Sequence, residues 1–478
     1  MTQLPRQLAD QAFSRASGAP LRRHNSLRLL EDATENYPAW LDAIGSAQRT
    51  VHFEMYIIHE DAQGRLFADA LIEKARQGVQ VRLLYDWMGG FGKTSRRFWN
   101  RLRAGGVDVR CYNPPRFDRP LGWLSRDHRK LIVVDGTVAF VTGLCVGQAW
   151  IGDPERGIPP WRDTGVALRG PAVADCEAAF ADAWDAAGDP LQTDPAAPAS
   201  DSSAEAPADV AVRVVATVPY TAGLFRLDQL VAALARDTLW LTDAYFAGTT
   251  PYVQALRAGA ADGVDVRLLV PGASDIPVVR LFSRAGYRPL LEAGVRVFEW
   301  NGSMLHAKTA VADGRWARVG STNLNIASWL GNRELDVIVE DEPFAIRLQE
   351  MYLADLANAT EVILDARNRV RAPHASAAAH DPGRRRRDGG GRAGGGSSGR
   401  AMAGAVRIGN TVSAAITNRR LLEPVESHIA LIAGGVLLAV AALAVIFPRA
   451  VSYPLAVVLA WLAIALLYRG VTLHTPHD

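Results

Sequence analysis

The chain carries an internal repeat. Residues 51–58, VHFEMYII, lead through a helical stretch ending at Gly78 into VQVRLLYDW, and residues 239–246, LWLTDAYF, lead through a helical stretch ending at Gly263 into VDVRLLVPG. Each copy then passes a second helix and reaches a short alternating run, Gly106 to Val109 in one and Gly294 to Val297 in the other. Strand, helix and strand in this order predict right-handed crossovers and mainly parallel pairing, so the expected body is two α/β halves of one design. A length of 478 residues with 49% hydrophobic content supplies both cores and leaves chain for further segments.

Both copies then arrive at one spacing, HxKxxxxD. The first has His128, Lys130, an apolar run, then Asp135 and Gly136; the second has His306, Lys308, a run of small residues, then Asp313 and Gly314. Each Asp-Gly is followed by another strand-like run, TVAFV or RWARV, which is the signal of a tight hairpin. Residues i and i+2 of a strand share a face, so the His and Lys of each copy point into the same space. Only four lysines occur in the chain, Lys74, Lys93, Lys130 and Lys308, so retaining Lys at both motif positions has a chemical reason.

Two imidazoles with two ammonium groups suit phosphoryl chemistry without a metal or other cofactor. A neutral imidazole attacks phosphorus, an imidazolium protonates the departing oxygen, and lysines neutralise the nonbridging oxygens. The competing view, two structural histidines in satisfied strands, leaves the duplicated spacing without a cause. The three cysteines, Cys111, Cys145 and Cys176, include no CxxC pair, which argues against a disulfide framework and a thiolate zinc site.

Charge narrows the partners. Lys and Arg number 52 against 50 acids, and from Arg371 onward there are 12 Arg and 5 acids, which leaves about −5 on residues 1–370. Binding to a nucleic-acid backbone needs a basic surface, so nucleic acid is not expected. No cleavable signal is read at the start, because Leu4 to Arg23 is interrupted by Arg6, Asp10, Arg15 and Arg22.

The C-terminal part reads differently. Ile429 to Phe447 and Val451 to Tyr468 are uncharged runs of 19 and 18 residues. At ~1.5 Å per residue each matches a hydrocarbon core of about 30 Å, so residues 429–468 are expected to form a membrane-embedded helical hairpin. Arg407, Arg419 and Arg420 precede it and Arg469 follows, against Arg449 alone in the turn, which places both termini and the repeat in the cytoplasm. Residues 371–404, with Arg384 to Arg387 and two Gly triplets, read as a disordered basic tether, either drawn to anionic headgroups or simply solvated. Residues 405–428 form a juxtamembrane segment and 469–478 a tail. A Pro, Ala, Asp and Ser stretch at 189–209 is a linker, so the halves span 1–188 and 210–370.

On these motifs the chain resembles the phospholipase D superfamily, whose members carry two HKD motifs on similar halves that meet at one active site. The resemblance covers about residues 25–370. The second half carries the extended pattern, Gly320, Ser321 and Asn323, then Ser328, then Asn332 to Glu334. The first departs after Asp135: Thr142 to Cys145 stand where relatives usually show Gly-Gly or Gly-Ser followed by x-Asn, so a weakly donating thiol occupies the place of a phosphate-binding amide.

The resemblance implies an α/β fold of two similar phospholipase D-like halves with a shared active site, beside the transmembrane hairpin. It implies His128 as the nucleophile forming a phosphohistidine and His306 as the general acid and then base. Lys130, Lys308 and Asn323 would hold phosphate oxygens, with Ser321 nearby. Asp135 and Asp313, the third members of the catalytic motifs, would fix the strand turns more than touch substrate. Glu334 and Asp163, the latter in the segment Trp161 to Thr164, would orient the histidines and select their tautomers.

The segments Glu54 to Ile58, His128 to Gly136, Trp161 to Thr164, Tyr245 to Phe246 and Leu305 to Lys308 resemble bacterial cardiolipin synthases in particular. That implies a multi-pass enzyme of the bacterial inner membrane. Its partners would be membrane phospholipids: phosphatidylglycerol, with phosphatidylethanolamine as a second candidate. The product would be cardiolipin, made by ping-pong transfer. Three other readings stay open: a phospholipase D releasing phosphatidic acid, an inert lipid-binding scaffold permitted by the Thr142 to Cys145 departure, and a phosphodiesterase or nuclease disfavoured by charge. The acceptor alcohol and the oligomeric state are not legible. The aromatic residues Trp87, Phe91, Phe98, Trp99, Trp123 and Trp150 receive no role, since each suits an ordinary core equally well.

Overall fold

The structure is a computed structural model that describes residues 3–116, 122–191, 209–276, 283–364 and 370–371, with scattered positions between 435 and 464. Most of the expected linker, the tether beyond 371, the juxtamembrane segment, the tail and half of the hairpin lie outside the described residues. No helix among the described residues is long and apolar enough to cross a membrane.

The first half contributes β1 (Arg22–Glu31), β2 (Thr50–Met55), β3 (Gln80–Asp86), β4 (Asp108–Tyr112), β5 (Lys130–Val134), β6 (Val138–Thr142) and β7 (Thr164–Arg169). The second contributes β8 (Val210–Thr217), β9 (Thr238–Thr242), β10 (Asp265–Pro271), β11 (Arg296–Trp300), β12 (Thr309–Ala312), β13 (Trp316–Gly320) and β14 (Glu334–Val339), then β15 (Ala359–Leu364) and β16 (Val370–Arg371) at its edge. Hydrogen bonding joins them in the order β16-β15-β11-β10-β9-β12-β13-β14-β8-β1-β7-β6-β5-β2-β3-β4. Read outward from the β8–β1 pair, each strand of one half meets its counterpart in the other, so the repeat is a pseudo-twofold.

The pairing corrects one expectation. Parallel neighbours are confined to β2, β3 and β4 and to β9, β10 and β11, where helices such as Ala62–Arg76 and Thr250–Ala261 make the crossovers. The rest of the sheet is antiparallel, and each HxKxxxxD run ends in a tight turn, Asp135 to Thr137 and Asp313 to Arg315, that returns the chain beside itself. Asp135 (φ 52°) and Gly136 (φ 66°), like Asp313 (φ 50°) and Gly314 (φ 61°), occupy the left-handed region that a type I′ hairpin demands at both central positions.

The sheet folds back so that β6 and β7 touch β13 and β14. Val141 and Val166 from one half and Val319, Leu335 and Val337 from the other are wholly buried in one core, closed by the helices Val173–Ala186 and Glu342–Ala357. Full burial of such a side chain contributes roughly 1.5–3 kcal/mol, so the contact between halves is a core and not a loose docking. The N-terminal helix, Gln3–Ser17, packs on the helix Gly223–Leu234 of the second half, and Phe13 joins that half's core. The start of the chain thus serves the later repeat.

Candidate active site

Each His-Lys pair sits where β5 or β12 begins, and the two beginnings meet at the pseudo-twofold. The backbone binds them across it. His128 N–H donates to the Arg333 carbonyl at 2.9 Å and Arg333 N–H to the Arg126 carbonyl at 2.8 Å; in mirror image, His306 N–H donates to the Arg162 carbonyl at 2.7 Å and Arg162 N–H to the Met304 carbonyl at 2.9 Å.

The side chains cross in the same way. His128 Nδ1 lies 2.9 and 3.1 Å from the carboxylate oxygens of Glu334, a second-half residue, and His306 Nδ1 lies 2.7 Å from Asp163 Oδ2, a first-half residue. With Nδ1 committed to a carboxylate, each ring leaves Nε2 for chemistry. Lys130 and Lys308 are buried, and each ammonium donates to the carbonyl of its own histidine. Tyr56 packs edge-on to His128 at 4.7 Å with Lys130 5.1 Å from its ring centre; Tyr245 does the same for His306 and Lys308 at 5.8 and 5.8 Å.

Burial and the two ammonium groups lower both histidines. Burial acts first on His128, with Lys130 and Lys308 adding to it, and holds the ring well below its usual range. Burial and Lys308 lower His306 too, opposed there by Asp163. Burial would raise Asp163, but His306 and Lys308 outweigh it and keep the carboxylate below its ordinary range. Glu334 is raised by burial against the pull of Lys130 and of hydrogen bonds from Ser321, Ser328 and Asn332. Burial brings Lys308 down to about 8.

The expected site residues fall into two groups. His128, Lys130, His306, Lys308, Glu334 and Asp163 are brought together. Asn323 is buried, and its Oδ1 has no partner among the described residues. The Ser321 hydroxyl donates to Glu334 at 2.6 Å and accepts from Leu335 N–H at 2.9 Å, so it braces that carboxylate.

Asp135 and Asp313 stand apart. Five residues past Lys130, at about 3.3 Å per residue, Asp135 lies roughly 16 Å along the strand from the histidine end. Its carboxylate accepts from the backbone of Gln48, Arg49 and Thr50 at 2.8, 2.7 and 2.8 Å, and Asp313 accepts from Arg236, Asp237 and Thr238 at 3.0, 2.8 and 2.9 Å. They anchor the entry of β2 and β9. Cys145 takes the mirror place of Asn323; it is buried, and burial raises its thiol.

Sequence reasoning missed the aromatic residues of the pocket. Trp150 and Trp161 stand 6.0 and 5.8 Å from the His306 ring, and Tyr56 and Tyr245 flank the lysines. The available signals were resemblance, since Tyr56, Trp161 and Tyr245 lie in segments similar to cardiolipin synthases, and position: Tyr56 and Tyr245 both follow the first strand of their repeat, and Trp161 lies two residues before Asp163.

A duplicated α/β fold whose pseudo-twofold brings two His-Lys pairs into one pocket is the phospholipase D-like class. The chain belongs to the cardiolipin synthases of that class: the family model described as "Cardiolipin synthase, PLD-like domain" matches residues 40–146 and 231–356. It is 35% identical to cardiolipin synthase A of Pseudomonas aeruginosa over 366 residues, 75% of this chain and 73% of the relative. It is 31% identical to the cardiolipin synthase of Alkalihalophilus pseudofirmus over 348 residues, 72% of this chain and 68% of the relative. The crystal structure of phosphatidylserine synthase from Haemophilus influenzae Rd KW20 superposes with a TM-score of 0.59 at 14% identity, covering 73% of this chain and 91% of the other, a likeness of fold. The protein is a phospholipid synthase, a phosphatidyltransferase of the phospholipase D superfamily.

Proposed function

We propose that the protein makes cardiolipin from phosphatidylglycerol and a second phospholipid at a membrane, through a phosphohistidine. The observation that carries this reading is the crossed bracing of the two buried histidines, each held through Nδ1 by a carboxylate of the other half. Such bracing leaves two Nε2 atoms for one phosphorus.

In the first step His128 Nε2 bonds to phosphorus as the phosphorus–oxygen bond to glycerol breaks, and His306 gives its proton to the departing oxygen. In the second, the hydroxyl of an incoming lipid gives its proton to His306, its oxygen bonds to phosphorus, and the bond to His128 breaks. Lys130, Lys308 and Asn323 neutralise and hold the phosphate oxygens throughout. His128, the more strongly lowered of the two, is neutral at pH 7 as a nucleophile must be, while the ionised Asp163 favours a proton on His306.

Two features favour a bilayer as the source of substrate. Phe91, Leu124, Ile158, Ile276 and Ile326, on loops leaving the site-bearing strand ends, are exposed apolar side chains. Apolar side chains within the runs read as a hairpin are also exposed, Leu438, Val445 and Val457 among them.

The test is the full chain in mixed micelles with labelled phosphatidylglycerol, with and without phosphatidylethanolamine. A dimeric lipid with glycerol release is expected, abolished by His128→Ala and by His306→Ala. Phosphatidic acid without dimeric lipid would make it a hydrolase, no turnover would make it a lipid-binding scaffold, and either would end this reading.

A further inference from the structure

The two flanks of the pocket differ in chemistry. Three rings surround His306: Trp150 edge-on at 6.0 Å and 85°, Trp161 at 5.8 Å and 41°, and Tyr245 at 5.8 Å and 80°. Among the described residues His128 has one, Tyr56 at 4.7 Å. The difference follows from unlike residues at matching places. The register sets Trp161 against Asn332, and the crossed backbone bridges set Met304 against Arg126. His306 therefore has an indole beside it where the mirror position of the other flank holds Asn332, whose amide donates to Glu334 at 3.3 Å. The two tryptophans act as one wall, since Trp161 N–H donates to the Trp150 carbonyl at 3.2 Å and their rings lie 4.8 Å apart. Trp161 is half-buried, and the indole Nε1 of buried Trp150 has no acceptor in the protein.

We infer that Trp161 and Trp150 form the alcohol subsite of the transfer, an aromatic wall that seats a three-carbon alcohol against His306 and denies the same place to water. The inference rests on the reaction proposed above, in which His306 serves the leaving and entering oxygens. Water and a lipid hydroxyl compete there for one phosphatidyl-enzyme. Either gives a proton to His306, bonds through oxygen to phosphorus and releases His128; water yields phosphatidic acid, the lipid yields the dimer. An indole face favours the carbon skeleton of the alcohol and gives water no partner, so the wall biases partition toward transfer.

The partition is read in one tube, as the ratio of dimeric lipid to phosphatidic acid made by the full chain from phosphatidylglycerol in mixed micelles. Loss of folded protein or a slower first step cancels in that ratio. Trp161→Ala is expected to lower it by about tenfold or more and Trp161→Phe to keep it within about threefold. Asn332→Ala, the mirror position, is expected to slow turnover without moving the ratio. An unchanged ratio in Trp161→Ala, or an equal fall in Asn332→Ala, overturns the inference while the proposed reaction stands. Wild-type protein that forms no dimeric lipid removes the proposed reaction itself.

Discussion

The two halves match strand for strand and carry the same motif, yet the residues between the motif positions make them chemically unlike. Arg129, between His128 and Lys130, is wholly buried and donates to the carbonyls of Ala179 at 2.6 Å, Thr217 at 3.2 Å and Glu334 at 3.2 Å, tying the first motif to the second half. Its counterpart is Ala307, a buried methyl group with no side-chain polar bond to offer. Glu334 is braced by Ser321 and by Asn332 at 3.3 Å, whereas Asp163 faces Gly143, where a Cβ would lie 2.2 Å from its Oδ1. The shorter carboxylate and the missing side chain come as a pair. The duplicated scaffold sets where the two rings stand, and the few unshared residues give the two rings different surroundings.

The largest effect that tests this comparison comes from removing each ring in turn. His128→Ala is expected to lose about 10³-fold or more on every donor, since no covalent intermediate forms. His306→Ala is expected to lose as much on phosphatidylglycerol but only about tenfold on a phosphatidyl ester of p-nitrophenol, whose leaving group departs without a proton. Burst and steady-state measurements of p-nitrophenol release separate the two. The reverse pattern would exchange the roles of the halves.

Next in size is Asp163→Asn, with a loss of about 10²-fold or more. Its signature is the pH profile. In the proposed mechanism His306 must be protonated to release glycerol, so activity is expected to fall as pH rises through its pKa in the enzyme. Asp163 opposes the lowering by burial and Lys308, so without its charge that pKa drops and the alkaline limb moves to lower pH. Lys308, at about 8, adds an alkaline decline near that pH as the ammonium is lost. Glu334→Gln, on the other flank, is expected to lower the rate without moving the His306 limb. Equal shifts in both variants would erase the distinction between the halves.

What the sequence disclosed was what depends on local period and spacing. The repeat, the Asp-Gly hairpins and the placing of both His-Lys pairs on one face follow from strand geometry. Glu334 and Asp163 were legible from resemblance, although that each braces the opposite half's histidine was not. Pairing sense was misjudged because an alternation of strands and helices says nothing of the hairpins inserted between them. Arg129, Tyr56 and Trp161 escaped because their meaning depends on which ends meet across the pseudo-twofold, and the helix Gln3–Ser17 escaped because it packs on a partner more than 200 residues later.

Asp135 and Asp313 give the comparison its symmetric control. Each accepts three backbone N–H groups, so Asp135→Ala and Asp313→Ala are both expected to cost about 2 kcal/mol in denaturant unfolding, with a similar fall in either half and no displacement of the pH profile. A displaced alkaline limb in either variant would return these carboxylates to the proton chemistry.

The smallest effect is expected where the halves differ most visibly in sequence, at Cys145. Its thiol is neutral at pH 7, because burial raises it, and it is buried between elements that already place two ammonium groups at the site. Cys145→Asn restores the amide found at Asn323, yet an amide adds only neutral donors where Lys130 and Lys308 already carry full charge, so kcat/KM is expected to rise by less than about threefold. The amide also needs an orientation that the first half does not provide. After Asn323, Leu324 N–H is fixed by the Asp243 carboxylate at 2.8 Å, whereas after Cys145 the Val146 N–H donates to the Ile57 backbone carbonyl at 3.1 Å. A rise of tenfold or more would mean that the halves are interchangeable at the phosphate, and that the thiol had been a deficit in an otherwise symmetric site.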